Sequence, residues 1–169
     1  MRVLEPTCPA GLSNQAIQEY ARRVGDHHDI YDANGHANID DFVERLGGTA
    51  KYATDNESLH VLAPGRFTIY LPQFTSARRD RFTKAHELGH YFLHYLYPGH
   101  SGEMHYGRGA RDRAETEANV FASALLMPAD KFKAAHQELM GDSWKLAARF
   151  DVSPQAASVR AEVLGLHCD

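Results

Sequence analysis

Across residues 14–24 the apolar positions fall at Ala16, Ile17, Tyr20, Ala21 and Val24. This three- and four-residue spacing gives a helix one oily face, and Gly25 closes it. A polar stretch over 26–38 reads as a loop. Residues 39–46 predict a short helix, favoured at its start by Asp40 and Asp41 and stopped by Gly47-Gly48. Two β-type runs, 58–62 and 66–71, flank Ala63-Pro64-Gly65 and predict a β-hairpin. Helical character returns from Ser76 to about Tyr97 and ends at Pro98-Gly99. Residues 99–110 are rich in Gly, His and Tyr without a period, and read as a loop. A further helix over 111–127 stops at Pro128, and the tail over 129–165 is helical with breaks at Gly141 and Ser153-Pro154. The expected class is α+β: mostly helical, with one small antiparallel sheet. The expected division is a domain over 1–128 and a C-terminal helical segment over 129–169 packed on it.

Composition narrows the class without changing it. A chain of 169 residues, 43% hydrophobic and 24% charged, is long enough for one full core. No apolar run approaches the roughly 20 residues that cross a bilayer. The start, Met1-Arg2-Val3-Leu4-Glu5-Pro6, shows no apolar signal region, so a soluble cytoplasmic protein with no membrane partner is expected. Cys8 and Cys168 form no CxxC pair, which argues against a disulfide framework and a cysteine zinc site. A net charge of −4 argues against a chain devoted to holding phosphates. Of the 11 histidines, His27, His28, His36 and His60 lie in polar, turn-like stretches and read as solvated.

The chemistry concentrates at His86-Glu87-Leu88-Gly89-His90. On a helix, histidines four apart stand one above the other and both imidazoles reach one ion. Glu87 sits about 100° round, placed to hold a water on the metal instead of the metal itself. Zinc lowers the pKa of such a water toward about 7, and the adjacent carboxylate takes its proton and returns it to the leaving amine. Ala85, Leu88, Phe92 and Leu96 give this helix a packing face, and Gly89 lets another element come close.

A catalytic zinc usually takes three protein ligands. The extended HExxHxxGxxH pattern fails, because Leu93 and Leu96 stand where it needs Gly and His. His94 lies about 12 Å along the axis from His86, too far to share one ion, and reads as a packing or outer-sphere residue. The third ligand is then expected from the helix over 111–127, which offers Asp112, Glu115 and Glu117. Asp112 suits a cap. Glu117 shares a face with Ala114, Phe121 and Ala124, and a carboxylate on an apolar face is costly unless paired or metal-bound. Glu117 is therefore the expected ligand, and an ion pair with Arg113 is the competing explanation of its position.

These residues resemble a known family. The run Arg81-Phe82-Thr83-Lys84-Ala85-His86-Glu87-Leu88-Gly89-His90-Tyr91-Phe92-Leu93-His94 is similar to the core motif of the ImmA/IrrE metallopeptidases. Glu117-Ala118-Asn119-Val120-Phe121-Ala122-Ser123-Ala124-Leu125-Leu126-Met127-Pro128 is similar to that family's EANxFAAxLLMP segment. The resemblance implies a zincin-like domain in which His86, His90 and Glu117 bind Zn2+ and Glu87 is the catalytic base. It also implies a regulatory protease that cleaves a helix-turn-helix repressor, in some members within toxin–antitoxin-like operons.

Residues 144–166 have a helix-turn-helix cadence, with Pro154 suited to the first turn of the second helix. If this segment read DNA, Gln155, Ser158 and Arg160 would face the major groove. Its thin positive charge favours a packing or substrate-docking module over direct DNA binding. A DNA-binding or antirepressor protein that uses the zinc fold as scaffold is the alternative to a peptidase. For the oxyanion of peptide hydrolysis, the stretch 99–110 offers His100, His105, Tyr106 and Arg108.

Overall fold

A computed structural model describes Leu4, residues 6–109 and residues 111–169. Residues 1–3 and 5, read above for a signal region, lie outside the described residues. Each early helix begins where a side chain satisfies its free N–H groups. Ser13 caps α1 (Asn14–His27), which buries Ile17, Ala21 and Gly25. Asn38 caps α2 (Ile39–Arg45), with Asp40 and Asp41 in its first turn. Ser76 caps α3 (Ala77–His90), whose backbone then widens into a π turn over Tyr91–Leu96.

The sheet is larger than the expected hairpin. The hairpin itself is β2 (Glu57–Ala63) against β3 (Arg66–Pro72), antiparallel. Two further strands join it, giving the order β1-β3-β2-β4. β1 (Gly48–Ala53) runs parallel to β3, so the sheet is mixed and not purely antiparallel. β4 (Met104–Gly107) lies inside the stretch expected to be a loop and pairs antiparallel with β2, setting His60 opposite His105. Gly47 fixes the entry to β1: its φ is +89°, and a Cβ there would lie 1.8 Å from the Gly65 carbonyl oxygen.

α3 and α4 (Arg113–Leu126) pack antiparallel at the centre, and α1 covers another side of α4. Gly89 allows the first contact to be close, because a Cβ on it would lie 3.0 Å from the Ala118 Cα. Phe92 stacks between Phe42 and Phe121 and ties the sheet-side helices to α4. The chain then passes through Pro128 directly into α5 (Ala129–Glu138), α6 (Ser143–Phe150) and α7 (Pro154–Val163). α6 buries Leu146, Ala147 and Phe150. From α7, the 2% exposed Arg160 donates to the Met127 carbonyl at 2.9 Å and to Gln18 Oε1 at 2.8 Å. These two bonds lock the C-terminal helices to the end of α4 and to α1. No helix among the described residues is long and apolar enough to cross a membrane.

Candidate metal centre

His86, Glu87 and His90 share the last turn and a half of α3, as the four-residue step requires. His86 and His90 are edge to face, with ring centroids 4.8 Å apart. Both turn Nε2 toward one carboxylate: His86 Nε2 lies 2.8 Å from Glu115 Oε2, and His90 Nε2 lies 3.0 Å from Glu115 Oε1. One ligand atom from each of these three residues lies within 4.8 Å of the other two.

The structure does not bring Glu117 to this pair. On α4, Glu115 and Asn119 are one turn apart and face α3, whereas Glu117 is rotated toward the N-terminal segment. There it accepts the backbone N–H of Ala10 at 2.8 Å and of Gly11 at 3.0 Å. It also meets His94 Nε2 at 2.8 Å, and Arg113 Nε lies 3.8 Å away. Glu117 is as buried as its apolar neighbours implied, but it is satisfied without an ion. Sequence reasoning weighed Glu115 but set it aside for Glu117, and it missed Asn119. The signal that points to them is their four-residue step, which matches the step from His86 to His90 on an antiparallel helix.

The far sides of the two imidazoles are equally well defined. His86 Nδ1 lies 2.7 Å from Asn119 Oδ1, and His90 Nδ1 lies 2.8 Å from His94 Nδ1. One set of tautomers satisfies all of these contacts: Nδ1–H of His86 donates to Asn119, Nδ1–H of His90 to His94, and Nε2–H of His94 to Glu117. Both Nε2 lone pairs of the pair then point at the Glu115 carboxylate, where a cation is the natural mediator. Such outer partners are what orient metal-binding histidines. Tyr106 backs the arrangement, its ring 5.8 Å from that of His90 and its hydroxyl donating to the His94 carbonyl.

The electrostatics follow from the same contacts. With no ion between them, the His86 and His90 rings meet Glu115 through Nε2–H. Burial on its own would raise that carboxyl, yet these hydrogen bonds override it and hold it at about 2. Burial opposes protonation of His86, but Glu115 and Glu87 outweigh it and push that imidazole up. Burial pushes His94 down, against the opposing pull of Glu117. Glu87 is buried, with Oε1 3.9 Å from His86 Nε2, and its Oε2 has no hydrogen-bond partner among the described residues. A buried carboxylate oxygen without a donor is costly. Beside it, two inward imidazoles and the Glu115 carboxylate form a set of donors that could hold a metal ion.

Three of the four oxyanion candidates are committed elsewhere. Arg108 donates to the carbonyls of Glu57 and Tyr70, His105 is bonded to Glu57, and the Tyr106 hydroxyl is spent on His94. His100 sits by the ring of Tyr95. In the C-terminal segment, burial of Arg160 removes it from any groove-facing role. Instead, a groove of about 750 Å³ runs between the first half of α3, α4 and the start of α7. Phe82, Thr83, Val152, Ala156 and Val159 line it, and Asn119, the partner of His86, stands on its wall.

Comparison with known proteins gives the family and the fold. The sequence model of the M78 peptidases, the IrrE N-terminal-like domain, matches residues 35–162, running across Pro128 into α7. A solved Mycobacterium tuberculosis transcriptional regulator has the same fold, with a TM-score of 0.59 and 16% identity over 88% of this chain. The match covers 46% of the regulator, so this chain spans about half of its length. No curated protein matches the chain.

Proposed function

The chain belongs to the M78 peptidase family of IrrE N-terminal-like domains, and from that premise we propose that it is a zinc-dependent endopeptidase with a regulatory role. The observation that carries the reading is the convergence of His86 Nε2 and His90 Nε2 on the Glu115 carboxylate beside the unsatisfied Glu87. In this assignment His86, His90 and Glu115 hold the ion, and Glu117 belongs to its outer sphere. Two imidazoles and a carboxylate are the donor set of a catalytic Zn2+ with an open position. When bound, the ion supplies Lewis acidity that polarises a peptide carbonyl and brings the pKa of water toward about 7.

The chain's own residues do the rest. Glu87 Oε2 accepts the proton of the attacking water and passes it to the departing amide nitrogen. Its burial keeps that carboxylate from being dispersed into solvent hydrogen bonds. Asn119 and the His94–Glu117 pair hold the two imidazoles in the tautomer that leaves Nε2 unprotonated. The apolar groove beside Asn119 receives side chains of the substrate, and its wall from the α6–α7 turn makes the C-terminal segment a substrate-docking element. The regulatory role and the helix-turn-helix repressor substrate rest on the motif resemblance. The regulator whose fold the chain shares is consistent with a place in transcriptional control.

The test is cleavage of purified helix-turn-helix repressors, beginning with any encoded beside this chain, read by mass spectrometry. The zinc-loaded protein cuts, and Glu87→Gln retains zinc and fold while losing about 10²–10⁴-fold in rate. Equal cutting by Glu87→Gln would falsify the assignment of the base, and no cutting of any repressor would remove the substrate class.

A further inference from the structure

The opposite face of the β2–β4 pair carries a second group of metal-ligating side chains, sharing no residue with the first. His60 and His105 are cross-strand partners, and their rings stack with centroids 4.1 Å apart and planes 14° apart. His105 Nδ1 is hydrogen-bonded to the carboxylate of Glu57, whose side chain is buried. A proton at Nδ1 leaves the His105 Nε2 lone pair facing outward. There it lies 3.4 Å from Glu103 Oε1, while His60 Nε2 lies 2.7 Å from the same oxygen. One ligand atom from each of Glu57, His60 and His105 lies within 4.8 Å of the other two.

Between neutral rings, hydrogen bonds leave one contact of this group unmatched. With its Nδ1 proton given to Glu57, His105 turns a lone pair toward a carboxylate oxygen, acceptor against acceptor. A single divalent cation between the two Nε2 atoms and Glu103 matches all three groups at once. The spacing suits it: tetrahedral donors at zinc bond lengths stand about 3.3 Å apart. Glu57 then takes the part of the carboxylate that holds a ligating histidine from behind.

We propose that His60 Nε2, His105 Nε2 and Glu103 form a second site for a divalent transition-metal ion of the zinc class, with Glu57 orienting His105. Two imidazoles select this class over Mg2+ and Ca2+, which want oxygen. The ion clamps the edge strand β4 to β2. The residue after His105 is Tyr106, which packs on His90 and bonds the His94 carbonyl. Occupancy of the second site therefore stiffens the wall of the first.

The experiment is titration of the metal-stripped full chain with Zn2+, read by elemental analysis, and with Co2+, read by its visible absorption. The expected stoichiometry is about two per chain, falling to about one in Glu103→Gln, His60→Gln or His86→Ala, and to none when His86→Ala and His60→Gln are combined. Glu103 is largely exposed, so its variant tests the site without endangering the fold. In the His86→Ala background Zn2+ raises the melting temperature, and Glu103→Gln abolishes that rise. A stoichiometry of one that His86→Ala eliminates and Glu103→Gln leaves intact overturns the proposal. One equivalent that survives His86→Ala but not Glu103→Gln upholds it and instead overturns the His86–His90–Glu115 assignment.

Discussion

Gly89→Ala separates what holds the fold from what holds the ion. Gly89 sits in the α3–π helical run between the two histidines, and an added Cβ would lie 3.0 Å from both the Cα and the carbonyl oxygen of Ala118 on α4. The third contact, with the Ala118 Cβ, is at 3.3 Å. Carbon atoms settle at about 3.5–4.0 Å, so α3 and α4 must move apart by about 0.5 Å. All three contacts are with backbone atoms or the Cβ of Ala118, so no flexible side chain can swing away. The stability terms nearly offset. Overpacking costs about 1–3 kcal/mol, and replacing a helix-interior glycine returns about 0.8–1 kcal/mol. The net loss is about 0–2 kcal/mol, little enough that the variant folds.

Metal binding has no such compensation. His86 and His90 ride on one helix and Glu115 on the other, and ligand distances tolerate only about 0.2 Å. A separation of about 0.5 Å therefore weakens Zn2+ binding by at least about tenfold, comparable with loss of an outer-sphere partner. The assays are urea unfolding of the metal-free protein, for stability, and competition with a chelating dye, for affinity. If Gly89→Ala folds with zinc affinity within about twofold of wild type, the close helix approach does not position the centre, and the reasoning is wrong.

Exchanging the two carboxylates of α4 discriminates ligand from support. Glu117→Gln weakens Zn2+ binding by about 10–100-fold, while Glu115→Gln weakens it further; the reverse order in calorimetric titration would reinstate Glu117 as the ligand. Because burial holds His94 below its ordinary value, the unfolded chain takes up that proton first. This contribution to stability is present above the unfolded value of about 6.5 and is lost as the pH falls below it through the lowered folded value. His94→Gln flattens the difference between metal-free urea transitions above and below that pH, and an unchanged difference would dismiss the assignment. Arg160→Ala strands the Met127 carbonyl and Gln18, costing about 2–3 kcal/mol in urea unfolding while leaving duplex-DNA affinity unchanged at low salt.

The helices were legible because each keeps an apolar period between recognisable caps. Ser13, Asn38 and Ser76 cap α1, α2 and α3. Gly47, Pro98 and Pro128 mark the exits of α2, the α3–π run and α4, whereas α1 runs past Gly25 to His27. Half of the sheet was not. β1 exposes most of its residues and so shows no alternation, being a strand because β3 runs beside it. β4 has only four residues, drawn from a Gly- and His-rich run, and exists through its bonds to β2. His60 looked solvated for the same reason: its partner His105 is 45 positions away and meets it only across that pairing. Arg160 had a local signal, the 157–160–161 spacing of the buried face of α7, but what it bonds is set by elements far away in the chain.

The two glutamates of α4 show where a pattern of burial stops being informative. Apolar neighbours at 114, 121 and 124 showed correctly that Glu117 faces inward, and it is buried. α4 is enclosed on more than one side, however, and facing inward does not say toward which neighbour. The direction comes from pairing two helices. His90 with Glu115 and His86 with Asn119 are matched four-residue steps on antiparallel rods, and Gly89 against Ala118 sets their separation. That match leaves Glu117 on an adjacent face, where His94 and the Ala10–Gly11 amides satisfy it. On the ligand set proposed above, the third ligand of this two-helix centre is the one whose donor spacing matches across the interface, and the buried carboxylate beside it supports the histidines from behind.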